Sequence, residues 1–341
     1  MNLLGTRIGS LFLPNPVICG SGEPVMTEFG IRAALAAGAA CVVAKSINER
    51  PEAAAQLDRA DYAFIGDSLL CRSGLAQRSP EEWFAALAGL DREAAESGRV
   101  VAASLVLASP EGAERIAAQA RQAGLRVFEL NVGAPHASEA SPGTIVQETD
   151  PDQLRALVAR VRAVTSGMQL WVKLTGLSSN LPALAQVAKQ AGADAVVMMG
   201  RFMAMLPDVD TLAPTLGTSG AYGGPWALPI VCRFLALSRR AVGPDYPLVG
   251  TNGARSGADI ARFALAGASA VELLSVVMQE GFSAITRILT ELDSLLVSRN
   301  LAFEHLIGRA ADTLAPYAAQ TPHPDRWRAF VPPETTQVSH K

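Results

Sequence analysis

The sequence predicts a (β/α)8 barrel of the TIM type, with long βα loops and a C-terminal extension. Three observations carry this expectation. Eight short apolar runs alternate with helix-like segments. Ala-Gly pairs recur just before the runs, as in AAGAA, QAGLR, QAGAD and LAGAS, where each gives a helix stop and then a strand. The longest connections, 47–79, 133–149 and 201–226, all follow the ends of runs. In a barrel the active site is built from those connections.

The runs come in order. PVICGSG (16–22) is followed by the helix-like MTEFGIRAALAAG, and CVVAKS (41–46) by SPEEWFAALAGLDREAAESG. VVAASL (100–105) precedes SPEGAERIAAQARQAG, and VFELNV (127–132) precedes TDPDQLRALVARVRAV. LWVKL (170–174), AVVMMG (195–200), PLVGTN (247–252) and AVELLS (270–275) complete the set. Their helices are NLPALAQVAKQAG, ALPIVCRFLALSRRA, SGADIARFALAG and EGFSAITRILTELDSLLVSRN. Each run is apolar along its length, as a strand covered on both faces requires. Several helices open on Ser, Thr, Asn or Asp, which can cap the free N–H groups of the first turn. A doubly wound sheet also alternates β and α, but it needs fewer strands. Its G-x-G-x-x-G turn is absent, since CGSGEP does not fit it. Residues 1–300 are read as the barrel and 301–341 as the extension, to which no chemistry is assigned.

Composition narrows the class. The chain has 341 residues, 49% hydrophobic and 18% charged, so a large core is expected and disorder is not. The formal net charge is −3, with no basic concentration suited to nucleic acid or an anionic membrane. The four cysteines, 19, 41, 71 and 232, show no C-x-x-C spacing, so no zinc or iron–sulfur site is encoded. Free thiols in apolar runs suit a reducing compartment. With no signal-like start and no run long enough to span a bilayer, a cytoplasmic protein is expected.

Polar residues gather where the runs end: Ser21, Lys45, Ser46, Asn131, Lys173, Thr251, Asn252 and Ser275. A lone lysine ending an apolar strand is usually a snorkelling surface residue. Two lysines and two asparagines at equivalent ends of one barrel suit an anionic heteroaromatic ligand. GTNGARSGAD (250–259) is the best phosphate signal. Gly250 and Gly253 allow close backbone approach, and Ser256 to Asp259 opens a helix whose N–H groups can face an anion. An ordinary βα turn is the plainer alternative.

Taken together, these motifs resemble the class 1 dihydroorotate dehydrogenases and the flavin domain of the dihydropyrimidine dehydrogenases, over about residues 1–300. NPVICGSG resembles that family's N-P-x-x-x-A-S-G, AKS its T-K-S, ELNVGAPH its E-L-N-x-S-C-P-N and WVKL its x-V-K-L. GTSGAYGGPWALP is similar to its G-G-x-G-G-x-x-x-K-P-x-A-L. GTNGARSGADIARFALAGASAVEL is similar to its G-x-G-G-I-x-[ST]-G-x-D-A-x-x-x-x-x-A-G-A-x-x-x-Q. The resemblance implies FMN as cofactor and commonly a homodimer. It sets Gly20, Ser21, Lys45, Ser46, Asn131 and Lys173 around the flavin ring and ribityl chain. It gives the ribityl phosphate to Ser219, Gly220, Asn252 and Gly253, with Leu274 and Ser275 in place of the family's Gly-Thr.

The departures bear on the substrate. The family's loop cysteine base is Ala134 here, and the asparagine after it is His136. Cys71 stands for another family asparagine, and the Asn-Ser pair after the sixth strand is replaced around 198–201. His136 is the nearest titratable candidate for acid–base work, and the resemblance sets Lys45 by the polar edge of the flavin, where a cation stabilises negative charge on the reduced ring. Tyr222 is a second candidate acid, with simple packing as its alternative. Substrate contacts are expected from Asn131, Arg72, Ser73, Gly74, Leu75 and Tyr222. Arg72 and Arg201 could grip a carboxylate, or be solvated arginines.

The expected function is FMN-dependent hydride transfer to or from a CH–CH or C=C bond of a small anionic or carbonyl-activated substrate other than dihydroorotate. Two alternatives stay open. One is a dihydroorotate dehydrogenase with a displaced base. The other is a flavin-free phosphate-ligand barrel of aldolase or isomerase type, using Lys173 as a Schiff-base lysine. No NAD-binding fingerprint is present, so the electron donor or acceptor is left unassigned.

Overall fold

The computed structural model describes residues 2–50, 61–72, 74–106, 109–134, 148–324 and 326–332. Eight parallel strands close into a barrel: Val17–Cys19, Cys41–Val43, Val100–Val106, Val127–Asn131, Gln169–Lys173, Ala195–Met198, Leu248–Thr251 and Ala268–Leu273. They are neighbours in chain order, and the eighth pairs with the first through Val271↔Val17 and Leu273↔Cys19. All eight lie within or beside the apolar runs of the sequence.

The helices between them start where side chains can take the free N–H groups. Thr27 accepts from Gly30 N, Ser79 from Glu82 N and Ser109 from Gly112 N. Asp150 accepts from both Asp152 N and Gln153 N. Substituting a cap of this kind by alanine costs about 1 kcal/mol. Gly124 and Gly192, two of the Ala-Gly stops, take φ of 87° and 103°, which residues with a Cβ avoid.

Alternation along each strand splits the core in two. Ile18, Cys41, Val43, Ala102, Val127, Trp171, Val197 and Ala270 fill the barrel interior. The hairpin Thr6–Ile8 and Leu11–Leu13 adds Ile8 and Leu13 to that same cluster. Outward residues such as Val42, Phe128, Leu130 and Val196 pack with the helices, including Trp83 and Phe84 of the helix Pro80–Ala95. Each of the larger side chains contributes roughly 1.5–3 kcal/mol by leaving water. Phe303 and Leu306 join this outer cluster from beyond the last long helix, Ser283–Arg299.

Two connections read as plain loops are partly strand. Phe202–Ala204, Gly220–Gly223, Ser68–Cys71 and Tyr62–Ile65 form an antiparallel four-stranded sheet. GTSGAYGGPW, expected to be loop, thus contributes a strand. Gly-rich sequence hides it, because glycine weakens any local strand preference.

Candidate active site

The inward parity that places Val127 and Trp171 inside the barrel also turns Glu129, Asn131 and Lys173 inward, two residues at a time toward the strand ends. Above the apolar layer the interior is therefore polar. A cleft opens there, with about 1030 Å3 of space including its open mouth.

The cleft brings together most of the residues singled out from the sequence. Gly20, Ser21, Lys45, Ser46, Asn131 and Lys173 line it, and so do Asn252, Gly253, Leu274 and Ser275. Gly74 and Leu75 reach it from the loop after the second strand, and Arg201 from the sixth. Ala134 lines it as well, 4% exposed, and carries only a methyl group there. Ser219, Gly220, Tyr222 and Arg72 are not among the lining residues. Tyr222 stacks on Trp226, with ring centroids 5.2 Å apart. Arg72 is ion-paired with Asp61. His136 and Ser73 lie outside the described residues.

Local hydrogen bonds fix the walls. Asn131 Oδ1 accepts from Gly133 N at 3.0 Å, which folds the chain back after the fourth strand. At Gly133 a Cβ would stand 2.2 Å from Thr175 N, so only glycine lets these two loop backbones meet. Trp83 Nε1 donates to Lys45 O at 3.1 Å, and Ser46 N donates to Ser21 Oγ at 3.1 Å. Asn252, at φ 75°, turns its Oδ1 to Gly224 N at 3.2 Å. Its buried Nδ2 has no partner among the described residues.

One expectation about phosphate changes. The helix Gly257–Leu265 has its first N–H groups taken internally. Ser256 Oγ accepts from Asp259 N, Asp259 Oδ2 accepts from Arg255 N and Ser256 N, and Glu291 Oε2 accepts from Gly257 N. Two carboxylates at that helix start also oppose an anion. The short helix Ser275–Glu280, by contrast, begins at Leu274 without a side-chain cap.

Three carboxylates that the sequence reading did not single out meet the predicted cations. Glu23 pairs with Lys45, whose side chain is 4% exposed against 20% for Glu23. Burial pushes the Glu23 carboxyl up, but Lys45 and Arg201 outweigh it and hold it below its ordinary value. Lys45 is more deeply enclosed, so burial wins there and lowers the ammonium despite Glu23. Tyr62 lies near Glu23 and Arg201 bonds Cys71, which extends this cluster to the four-stranded sheet.

On the other side Lys173 lies between Glu272, its ion-pair partner, and Glu129 at 3.5 Å. Burial opposes its charge, yet the two carboxylates raise it above its ordinary value. Glu129 Oε1 accepts from Ser104 Oγ at 3.0 Å. The chain of hydroxyls continues through Ser46 at 2.8 Å to Ser21 at 3.0 Å. A lone Glu within VFELN or AVELL was the available signal for both acids, since a charge in a covered strand needs a partner.

A family model described as dihydroorotate dehydrogenase matches residues 3–296. The chain belongs to the dihydroorotate dehydrogenase family. It is 31% identical over 307 residues to the catalytic subunit of dihydroorotate dehydrogenase B (NAD(+)) of Methanocella arvoryzae, covering 89% of this chain and 96% of that one. The protein of the same name from Pyrococcus furiosus is 31% identical over 275 residues, 80% of this chain and 87% of the relative. Dihydroorotate dehydrogenase A (fumarate) of Limosilactobacillus reuteri aligns over 175 residues at 30% identity, 51% of this chain and 55% of the relative. Against the family's motifs the cleft keeps both lysines and Asn131. It has a methyl at Ala134, and Glu272 stands where the pattern ends in Gln.

No group of three or more His, Cys, Asp or Glu suited to a metal ion occurs among the described residues. No helix among them is long and apolar enough to cross a membrane.

Proposed function

We propose that this chain is an FMN-dependent oxidoreductase acting on a CH–CH or C=C bond of a small anionic or carbonyl-activated substrate. The observation that carries the reading is Asn252. Its buried Nδ2 has no partner among the described residues, and it lines the same cleft as Lys45, Lys173 and Ser275. A buried donor left unmade costs about 1–3 kcal/mol, so a ligand acceptor is expected at that point. A phosphate-tailed heteroaromatic ligand matches the donor set. Asn252, Gly253 and Ser275 would hold the tail, with Gly20, Ser21, Lys45, Ser46, Asn131 and Lys173 around the ring system. Ser219, Gly220 and Leu274 are the remaining cofactor contacts of this reading.

When bound, FMN supplies hydride transfer at its N5. The protein's part is to orient, to exclude water and to place charge. Asn131 has its oxygen committed to Gly133 N, which leaves its amide NH2 to donate to ligand. Lys45 and Arg201 supply positive charge for an anionic substrate. Gly74 and Leu75 line the cleft, and Ser73, Arg72 and Tyr222 are the further substrate contacts of this reading. His136 is the proposed acid or base.

The proposed substrate is not dihydroorotate. Ala134 can neither accept nor donate a proton, and the family's amide set is largely replaced. The relatives' names point to NAD(+) or fumarate as acceptors for those proteins; for this chain a soluble acceptor or a separate reductase is proposed. We further propose a cytoplasmic homodimer with residues 1–300 as its FMN-binding domain and 301–341 as an extension. The Schiff-base alternative is opposed by Lys173 itself. Two carboxylates keep it charged, and a Schiff-base lysine has to be deprotonated to attack.

The test is the absorbance spectrum of the purified protein, followed by anaerobic titration. A flavin spectrum bleached by an activated alkene's saturated partner, but not by dihydroorotate, is the expected result. Bleaching by dihydroorotate would establish the displaced-base alternative. Colourless protein that takes up no FMN would overturn the reading.

A further inference from the structure

Glu129, Lys173 and Glu272 place two carboxylates on one ammonium in an almost closed space. The side chains of Glu129 and Glu272 are 0% and 1% exposed, and that of Lys173 is 12% exposed. With both acids ionised, one negative charge would be left without a counter-ion among apolar strands. Interiors do not hold such a charge; the group takes up a proton instead. The triad therefore holds one proton near neutral pH.

Its location follows from the bonds. Glu129 has both oxygens engaged, Oε1 by Ser104 and Oε2 by Lys173. Glu272 has Oε2 on Lys173, while its buried Oε1 has no partner among the described residues. The proton belongs on Glu272, where a carboxyl O–H has a bond still to make. Among the described residues, the titratable groups acting on or near Glu272 are Lys173, Glu129 and the thiols of Cys19 and Cys41. Burial and the Glu272 charge push both thiols up, so they stay neutral. Burial, with Glu129 adding and Lys173 opposing, pushes Glu272 itself up to about 8. Glu272 also lines the cleft, in the position that the family pattern gives to Gln.

We propose that Glu272 is a ligand-positioning residue whose carboxyl O–H donates to the ligand seated over Lys173, so that ligand binding is linked to holding one proton in the Glu129–Lys173–Glu272 triad. The inference rests on the flavin reading of the cleft. No covalent bond to ligand is made or broken; one proton moves from solvent to Glu272 when the ligand binds above the carboxyl's titration range. A glutamine at 272 offers an N–H donor that does not titrate.

The experiment uses the full chain freed of flavin, titrated with riboflavin 5′-phosphate. In the wild type the Kd should weaken toward tenfold per pH unit above about pH 8. Calorimetry in two buffers of different ionisation enthalpy should show uptake approaching one proton there. In Glu272→Gln the Kd should be flat across the same range, with no uptake. A wild-type Kd without that slope, or an equal slope in Glu272→Gln, overturns the proposal while leaving the flavin reading intact. Failure of wild type to bind riboflavin 5′-phosphate at any pH overturns the flavin reading. The triad is then judged in ligand-free protein, by the infrared band of a protonated carboxyl. A band that titrates near pH 8 and is absent from Glu272→Gln supports the held proton, and a wild type without the band removes it.

Discussion

The ammonium of Lys45 is locked to the carboxylate of Glu23, although the two follow different barrel strands. The pair couples the loop after the first strand to the end of the second. Lys45 is the more buried partner, so losing the carboxylate should hurt more than losing the lysine. Glu23→Gln is expected to lower stability by about 3 kcal/mol, because it leaves a buried ammonium without its charge partner. Lys45→Met should cost less, since Glu23 keeps the nearby charge of Arg201 and some solvent. The double variant should come within about 1 kcal/mol of Lys45→Met. Urea unfolding midpoints check all three, and an additive double variant would show that the pair does not act as a unit.

Particular residues show how much of this was legible. The barrel was, because eight apolar runs in strand-length windows leave few other ways to cover them. Lys173 and Asn131 were legible as polar ends of such runs. Glu129 and Glu272 were passed over because each is a single charge inside an otherwise apolar word. Their role depends on strands 4, 5 and 8 of the barrel closing on one another, a contact no local pattern contains. Glu23 was missed for the same reason, its partner lying on the next strand. The helix start at Ser256 misled in the opposite direction. A Ser followed by Asp three residues on reads equally as an anion site and as a capping box, and the structure has the capping box.

Asn252 and Gly253 give the second prediction. Gly253 has φ 122°, and a Cβ there would stand 2.7 Å from Leu228 N. Gly253→Ala should therefore shift the turn and weaken riboflavin 5′-phosphate binding by at least about tenfold, equivalent to about 1.4 kcal/mol. Asn252→Asp removes the Nδ2 donor and sets a negative charge beside a phosphate. A loss of about 10–100-fold is expected, read from quenching of flavin fluorescence. Unchanged affinity in Asn252→Asp would exclude Asn252 from the phosphate site.

Ala134→Cys gives the third. The variant restores a thiol on the cleft wall, yet it should not make dihydroorotate a substrate. The amides that would hold a pyrimidine are still replaced, and each missing buried bond costs about 1–3 kcal/mol. Anaerobic mixing with dihydroorotate should leave the flavin unbleached. His136→Asn should leave flavin affinity unchanged and slow the reaction with the true substrate by about 10²-fold or more. An unaltered half-reaction would remove His136 from proton transfer.

Stability against pH follows from the same buried triad. Glu272 is raised from its ordinary 4.5 to about 8, chiefly by burial. Below about pH 4.5 the folded and unfolded chains both carry this proton, so its contribution is fully present. Between about 4.5 and about 8 the unfolded chain releases the proton and the folded chain keeps it, so stability falls as pH rises. The loss is complete once the folded carboxyl ionises, and it amounts to a few kcal/mol, at about 1.4 kcal/mol per pH unit. Lys173 is raised above 10.5, so its contribution persists through this window and disappears only in stronger alkali. Glu23 acts at the other end, because its lowered carboxyl stabilises above its ordinary 4.5 and loses that contribution in acid. Glu272→Gln should flatten the wild-type decline between about pH 5 and about pH 8. The variant should then be the more stable protein above about pH 8, where the wild type must bury an uncompensated carboxylate. Urea midpoints measured across that range decide it. A variant that keeps the wild-type slope would show that the triad holds no proton on Glu272.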